Sequence, residues 1–164
     1  MRTPEPEITI REFSPGDESA FRSLNEEWIT RYFVLEPKDE ASLSNPRETI
    51  LDCGGMIFLA VRGDQPIGCC ALLAMVPGEF EVAKMAVTES SQRSGVGRRL
   101  LERTIAEARS AGAQRLYLET NRKLAAAIRL YEALGFRHLP PERVVPSEYT
   151  RANVYMELYL GEVR

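Results

Sequence analysis

The chain has 164 residues, with a hydrophobic fraction of 44% and a formal net charge of −3. This length suits one domain with a sizeable core, so we expect a single domain over residues 1–164. The charge provides no global basic field, which argues against nucleic acid and anionic membrane as partners.

The apolar pattern predicts an alternation of strands and helices. Period-two alternation and short apolar runs indicate the strands, whereas apolar residues three and four positions apart indicate the helices. In chain order we predict a strand over 7–13, a helix through Phe21 and Ile29, a helix over about 39–52, strands over 56–62, 67–76 and 79–88, a long helix ending at Gly112, a strand over 114–120, a helix over 124–134, and strands over 136–139 and 153–160. Hairpins combined with β-α-β crossovers imply an α/β fold with a mixed sheet.

Cysteine and histidine usage limits the chemistry. The three cysteines, Cys53, Cys69 and Cys70, are odd in number and form no CxxC pair, so neither a disulfide framework nor a metal site is expected. We interpret them as buried thiols in a reducing cytoplasm, and the single histidine, His138, as a structural or surface residue. The first residues lack the apolar segment of a signal peptide, and the longest apolar run, 67–77, is too short to cross a bilayer.

The segment SSQRSGVGRRLLE, Ser90–Glu102, places two glycines between a predicted strand and a predicted helix. The first N–H groups of a helix lack internal partners, and glycine lets the backbone approach a ligand closely, so this segment can bind an anion. A tight strand-to-helix turn is the alternative explanation. There is no Gly-Lys pair for a P-loop, and Leu100 stands where a dinucleotide fingerprint needs its third glycine.

The spacing Gln-x-x-Gly-x-Gly, formed by Gln92, Gly95 and Gly97, follows a strand that ends Met85-Ala86-Val87. Together with the strands FEVAKMAV and LYLETN and the helix AAAIRLYEALGF, it resembles the GCN5-related N-acetyltransferase (GNAT) family in order and spacing, over nearly the whole chain. The resemblance implies a mixed, mostly antiparallel central sheet that is splayed around the cofactor, with helices on both faces. It also implies acetyl-CoA as the acyl donor.

The same resemblance implies where CoA would bind. A bulge in the fourth strand would turn amides near Met85 toward the pantetheine arm, and the glycine segment would hold the pyrophosphate. The implied cofactor-binding residues are Met85, Ala86, Val87, Gln92, Arg93, Ser94, Gly95, Val96, Gly97, Arg98, Asn121, Leu124 and Ala127. From the residues alone, Asn121 is also a candidate helix cap.

Two residues are candidates for catalysis. Spacing alone makes Tyr131 a core tyrosine and Glu81 an exposed strand residue. The resemblance instead implies that Tyr131 is the general acid for the CoA thiolate and that Glu81 is the base for the amine. A partly buried carboxylate would have a raised pKa and would be the better base. Glu79, Glu119 and a water chain remain alternatives for that role.

The acceptor pocket is expected between the first two helices and the loop before the last strand. Its candidate residues are Arg31, Tyr32, Glu36, Tyr149 and Arg151, and the arginines favour an acceptor that carries a carboxylate. An amino acid, a small amine and a peptide N-terminus all remain open, as does an acyl group longer than acetyl.

The expected reaction is direct transfer of acetyl from acetyl-CoA to a primary amine. A non-catalytic acyl-CoA-binding or regulatory module on the same fold is the alternative. A homodimer is one further option, because dimers are frequent in the family and an exposed last strand could support pairing.

Overall fold

The structure is a computed structural model, and it describes residues 2–161. Seven strands form one sheet in the order β1-β2-β3-β4-β5-β7-β6. They are β1 (Ile8–Glu12), β2 (Met56–Arg62), β3 (Gln65–Ala74), β4 (Glu79–Val87), β5 (Arg115–Thr120), β6 (Arg137–His138) and β7 (Val154–Tyr159). The central pair β4–β5 is parallel, and the other neighbouring strands are antiparallel. The expected mixed, mostly antiparallel sheet is confirmed.

Four α-helices cover both faces of this sheet. They are α1 (Glu18–Tyr32), α2 (Pro37–Ser44), α3 (Val96–Ser110) and α4 (Ala125–Ala133). One buried cluster packs Leu100 and Ile105 of α3 and Tyr131 of α4 against the sheet. A second cluster packs Phe21 of α1 and Leu43 of α2 on the other face. Among residues 2–161, no helix combines the length and the apolar character that a bilayer span requires.

The predicted helix over 39–52 is wrong in its extent. The helix α2 already begins at Pro37, where Glu36 and Asp39 form a capping box, and it ends at Ser44. A separate π-helical turn, Arg47–Leu51, follows Pro46. Proline lacks the N–H that would continue the helix, and it disfavours helical geometry in the residue before it. Pro46 therefore divides the predicted helix into two pieces.

The two central strands separate beyond their first residues. Their pairing runs from Glu79↔Arg115 to Glu81↔Tyr117 and stops there, although β4 continues to Val87 and β5 to Thr120. Because the two strands are parallel, the chain that follows each one leaves from the same edge of the sheet. The N-termini of α3 and α4 consequently lie at the open end of the gap.

Candidate active site

A cleft of about 520 Å³ occupies the gap between β4 and β5. Its walls are the end of β4, the loop before α3, the start of α4, the inner face of α1 and the loop that ends at 152. The C-terminal part of α1 contributes Trp28 and Tyr32, and Phe33 follows directly after the helix. The Trp28 ring centroid lies 5.5 Å from that of Tyr32. The cleft is thus apolar and aromatic along α1 and more polar along the strands.

The predicted bulge in β4 is present next to Met85. Cys69 pairs with Ala86 and Ala71 pairs with Ala83, so Lys84 and Met85 together oppose a single residue of β3. Lys84 has a φ of 53°, in the left-handed region that lysine rarely adopts. Met85, Ala86 and Val87, which the family resemblance implies as cofactor contacts, all line the cleft.

The glycine segment forms the end of the cleft where α3 begins. Gly95 is the N-cap of α3 with a φ of 84°, which glycine adopts without strain. A Cβ on Gly97 would meet Met85 and Leu130 only at 3.8–3.9 Å. Packing would therefore tolerate a side chain at Gly97, and the glycine instead leaves that wall of the cleft open to a ligand.

This end of the cleft suits an anion. The helix α3 has no side-chain cap and no acidic residue in its first turn, so its free N–H groups and its dipole favour negative charge. Gln92 and Arg93 line the cleft, and the Gln92 side-chain amide donates to the Val87 carbonyl at 3.2 Å. The buried Ser91 hydroxyl, also in the lining, has no hydrogen-bond partner within residues 2–161. Arg98 pairs on the surface with Glu102 at 2.7 Å.

Asn121 does not cap α4, contrary to one interpretation of the sequence. The N-cap is Leu124, and no side chain bonds to that helix end. The Asn121 carboxamide accepts a hydrogen bond from the Lys123 N–H at 2.9 Å and donates to the Arg151 carbonyl at 2.6 Å. Such local side-chain bonds compete with capping. Asn121, Leu124 and Ala127 nevertheless all line the cleft.

Glu81 and Tyr131 reach the cleft from its two walls, β4 and α4. Burial, together with the charge of Glu119, raises the pKa of Glu81 from 4.5 to about 7, although Lys38 and Lys84 oppose the shift. Tyr131 is 8% exposed, and burial raises the pKa of its hydroxyl above the ordinary value. At neutral pH the cleft therefore offers a carboxyl group close to half ionisation and a protonated phenol.

The other candidate bases differ from Glu81 in their surroundings. Glu119 lines the cleft, but its carboxylate accepts hydrogen bonds from the Tyr117 hydroxyl at 2.8 Å and from the Ser147 hydroxyl at 2.6 Å. Glu79 lies at the paired end of β4, where it faces Arg115 at 3.5 Å. Both carboxylates therefore already have partners within the protein.

The acceptor candidates divide between two adjacent depressions. Tyr32, Tyr149 and Arg151 line the cleft, whereas Arg31 and Glu36 line a neighbouring hollow of about 470 Å³. Both arginines already have carboxylate partners. Arg31 donates to Glu89 at 2.7 Å, and Arg151 binds both oxygens of Asp39 at 2.7 Å. Their pairing weakens the argument for an acceptor that carries a carboxylate.

The sequence analysis missed several polar residues of the cleft. Lys38 and Lys84 lie in its lining, and Asp39 is buried directly behind it, bound to Lys84 at 2.9 Å. The sequence does set Lys84 apart, because it is the single charged residue between Val82 and Val87 in a strand that is otherwise apolar there. Nothing in the sequence pattern joined that lysine to Asp39.

The three cysteines and His138 do not line the cleft. Cys69 and Cys70 are buried as predicted, but Cys53 is exposed, because it lies in the turn that follows the π-helical segment. His138 is exposed on β6, 3.5 Å from Glu132. Within residues 2–161 there is no group of three or more acidic, cysteine or histidine side chains that could hold a metal ion.

Comparison with known proteins assigns the chain to a family. The sequence model of the Acetyltransferase (GNAT) family matches residues 20–136. The chain belongs to this family. It is 33% identical to the IAA acetyltransferase of Azospirillum brasilense over 138 residues, which are 83% of this chain and 88% of that protein.

Two further similarities concern GNAT proteins of Salmonella typhimurium. The ribosomal protein bS18-alanine N-acetyltransferase is 40% identical over 78 residues, which cover 48% of this chain and 53% of that relative. The YncA structure, solved with its cofactor acetyl-CoA, superimposes with a TM-score of 0.74 at 23% identity, covering 95% of each chain. GNAT proteins use acetyl-CoA as the acyl donor, and the anion-binding end and the apolar wall of the present cleft fit the pyrophosphate and the pantetheine of that molecule.

Proposed function

We propose that the protein is a single N-acetyltransferase domain over residues 1–164 that transfers an acetyl group from acetyl-CoA to a primary amine by direct attack. The observation that carries this proposal is the meeting of Glu81 and Tyr131 in one cleft, one on each wall. A base and an acid on opposite sides of a bound thioester are what a one-step transfer requires.

The donor would lie along the separated strands. The N–H groups from Arg93 to Arg98, at the start of α3, would bind the pyrophosphate. The Gln92 N–H already donates to the Glu89 carbonyl at 3.2 Å, so Gln92 would contribute through its side chain. The bulged part of β4, Met85 to Val87, would face the pantetheine arm, with Leu124 and Ala127 on the opposite wall. Asn121 already uses one N–H and one oxygen lone pair of its carboxamide within the protein, so its contribution would be the second N–H and the remaining lone pair.

The proposed steps balance protons and bonds. An alkylamine with a pKa of about 10.4 is mostly protonated at neutral pH, so Glu81 first accepts a proton from the acceptor ammonium. The amine nitrogen then bonds to the thioester carbon while the Met85 amide stabilises the developing oxyanion. As the carbon–sulfur bond breaks, Tyr131 donates its proton to the CoA thiolate. The nitrogen loses its second surplus proton to solvent, from which the Tyr131 phenolate is reprotonated, and Glu81 releases the proton that it first accepted. The products are CoA, the N-acetylated acceptor and one proton.

The acceptor would lie between α1 and the loop that ends at 152. Trp28 and Tyr32 supply aromatic surface there, and Glu81 and Glu119 supply negative charge. These features favour a cationic amine with an apolar or aromatic body. The relatives named above do not share one acceptor, so the choice rests on experiment.

The setting of the reaction is part of the same proposal. The three free cysteines support a reducing, cytoplasmic environment, and the charge balance supports a small-molecule or peptide acceptor over nucleic acid or a membrane surface.

The test combines binding with turnover. Acetyl-CoA in excess should raise the melting temperature, because a ligand that binds only the folded state stabilises it, by about 2.7 kcal/mol at a hundredfold excess over Kd. Free thiol release should then be measured against a panel of amines, amino acids and short peptides, with Glu81→Gln and Tyr131→Phe as matched variants. No stabilisation by millimolar acetyl-CoA would refute the donor assignment. Stabilisation without thiol release from any amine would instead support a non-catalytic acyl-CoA-binding module.

A further inference from the structure

The bulge of β4 contains a residue in an unfavourable conformation. Lys84 has a φ of 53°, which costs free energy for any residue with a Cβ and persists only where surrounding contacts impose it. Its side chain is also only 6% exposed, although lysine is rarely buried without a partner. Two independent sets of contacts hold this residue in place.

The first set of contacts acts on the side chain of Lys84. Its ammonium donates to Asp39 at 2.9 Å and to the Tyr149 hydroxyl at 3.0 Å. The Asp39 side chain is fully buried. Its two oxygens also accept hydrogen bonds from Nη1 and Nη2 of Arg151. Burial by itself would raise the pKa of Asp39, but the hydrogen bonds from Arg151 and Lys84 hold that pKa below its ordinary value. The bulge is thereby joined to α2 and to the loop before β7.

The second set of contacts acts on the backbone of Lys84. The Cys69 thiol of β3 donates to the Lys84 carbonyl at 3.2 Å. The Asn25 amide of α1 in turn donates to the Cys69 sulfur at 3.4 Å. Burial raises the pKa of Cys69 well above that of a free thiol, so Cys69 keeps the proton that it donates.

These contacts determine the direction of the next amide. In a trans peptide the carbonyl and the following N–H point in opposite directions. Because the Lys84 carbonyl points to Cys69, the Met85 N–H points away from Cys69 and from β3. At this level the other side of β4 is the cleft, since pairing with β5 stops at Glu81. The Met85 amide is therefore directed into the cleft.

We propose that Lys84 and Cys69 are positioning residues, which together aim the Met85 amide at the acyl carbonyl of the donor. This inference rests on the proposed function. A buried ion pair is weak evidence for stability, because apolar residues of similar volume often stabilise a core as well or better. Both sets of contacts end on one strained peptide beside the cleft, and a positioning role accounts for that convergence.

The kinetic test compares Lys84→Met and Cys69→Ala with the wild-type protein. Each change should lower kcat about 10- to 100-fold, because a misdirected donor no longer stabilises the oxyanion. KM for acetyl-CoA should stay within about threefold of wild type, since the anion-binding end is untouched. Cys69→Ser keeps a donor and should restore most of the loss. The matched control is Glu40→Gln, next to Asp39 on α2, which breaks a surface pair with Arg22 and should leave kcat unchanged.

A second measurement does not depend on turnover. The ¹³Cα and ¹³Cβ shifts of Lys84 report its left-handed geometry, and the Met85 amide signal reports the hydrogen bond to the acyl group. In the wild-type protein the Met85 signal should move with acetyl-CoA and not with CoA. The left-handed shifts of Lys84 and the response of the Met85 signal to acetyl-CoA should both be lost in Cys69→Ala.

The outcomes separate the two proposals. The positioning role is overturned if Cys69→Ala retains wild-type kcat or retains the left-handed shifts of Lys84. It is also overturned if the only change in Cys69→Ala is in KM for acetyl-CoA. If Lys84→Met fails to fold, Cys69→Ala decides alone. A wild-type protein that shows both signatures but releases no thiol would contradict the proposed enzyme and leave the positioning role supported.

Discussion

Replacing Glu81 with glutamine should abolish efficient transfer and also stabilise the protein at neutral and alkaline pH. Burial and the charge of Glu119 raise the pKa of Glu81 from 4.5 to about 7, so the folded state binds this proton more tightly than the unfolded chain does. The stability that the bound proton contributes is complete below pH 4.5 and is lost as the pH rises to about 7. A glutamine side chain at this position would carry no charge and would avoid this loss.

The magnitude follows from the two pKa values. The pKa of Glu81 rises from 4.5 to about 7 on folding. At about 1.4 kcal/mol for each tenfold change in proton affinity, this rise corresponds to about 3 kcal/mol in the free energy of unfolding. For a chain of this length, 1 kcal/mol shifts the melting temperature by about 2–4 °C. The difference in melting temperature between Glu81→Gln and wild type should therefore grow by roughly 6–12 °C in favour of the variant from acidic to mildly alkaline pH.

The assay is urea denaturation of wild type and Glu81→Gln at intervals from about pH 4.5 to 8.5, where Glu81 titrates. Other titrating groups are common to both proteins, so the difference between the two curves isolates Glu81. Glu48→Gln, at an exposed glutamate, is the control and should give a constant difference from wild type. At pH 7 the Glu81→Gln variant should lose about 10²- to 10⁴-fold in kcat. Parallel stability curves across this range would refute the account of a buried, destabilised carboxylate.

Further results are expected for three variants and for the pH profile of the wild-type protein. Tyr131→Phe should lower kcat about 10²- to 10⁴-fold while acetyl-CoA still raises the melting temperature; an unchanged kcat would remove Tyr131 from the acid role. Gly97→Ala should fold, because its Cβ would meet neighbours no closer than 3.8 Å, but should weaken stabilisation by acetyl-CoA; a full thermal shift would contradict the role of that wall. Wild-type kcat/KM should rise with pH through about 7 as Glu81 ionises. Glu119→Gln should move that midpoint downward, because the Glu119 charge raises the pKa of Glu81, and an unmoved midpoint would contradict the coupling.

The sequence by itself determined the order of elements and the position of the glycine segment at the start of α3. Alternation along residues 56–88 marks three strands, and glycines at 95 and 97 mark the turn into that helix. These are local properties, since period, turn residues and helix ends depend on neighbours a few positions apart. The family resemblance has the same origin, because its motifs are short segments in a fixed order.

Only the tertiary structure decided the surroundings of Glu81 and the contacts that hold Lys84. Lys84 and Asp39 are 45 residues apart, and Arg151 and Asp39 are 112 residues apart. No periodicity connects residues at such separations, because periodicity reports which face of an element is buried and not what lies opposite. The raised pKa of Glu81 likewise depends on burial in a cleft that forms where β4 and β5 separate. Desolvation and ion pairing are properties of the assembled environment, so these features emerge only when the strands and helices pack together.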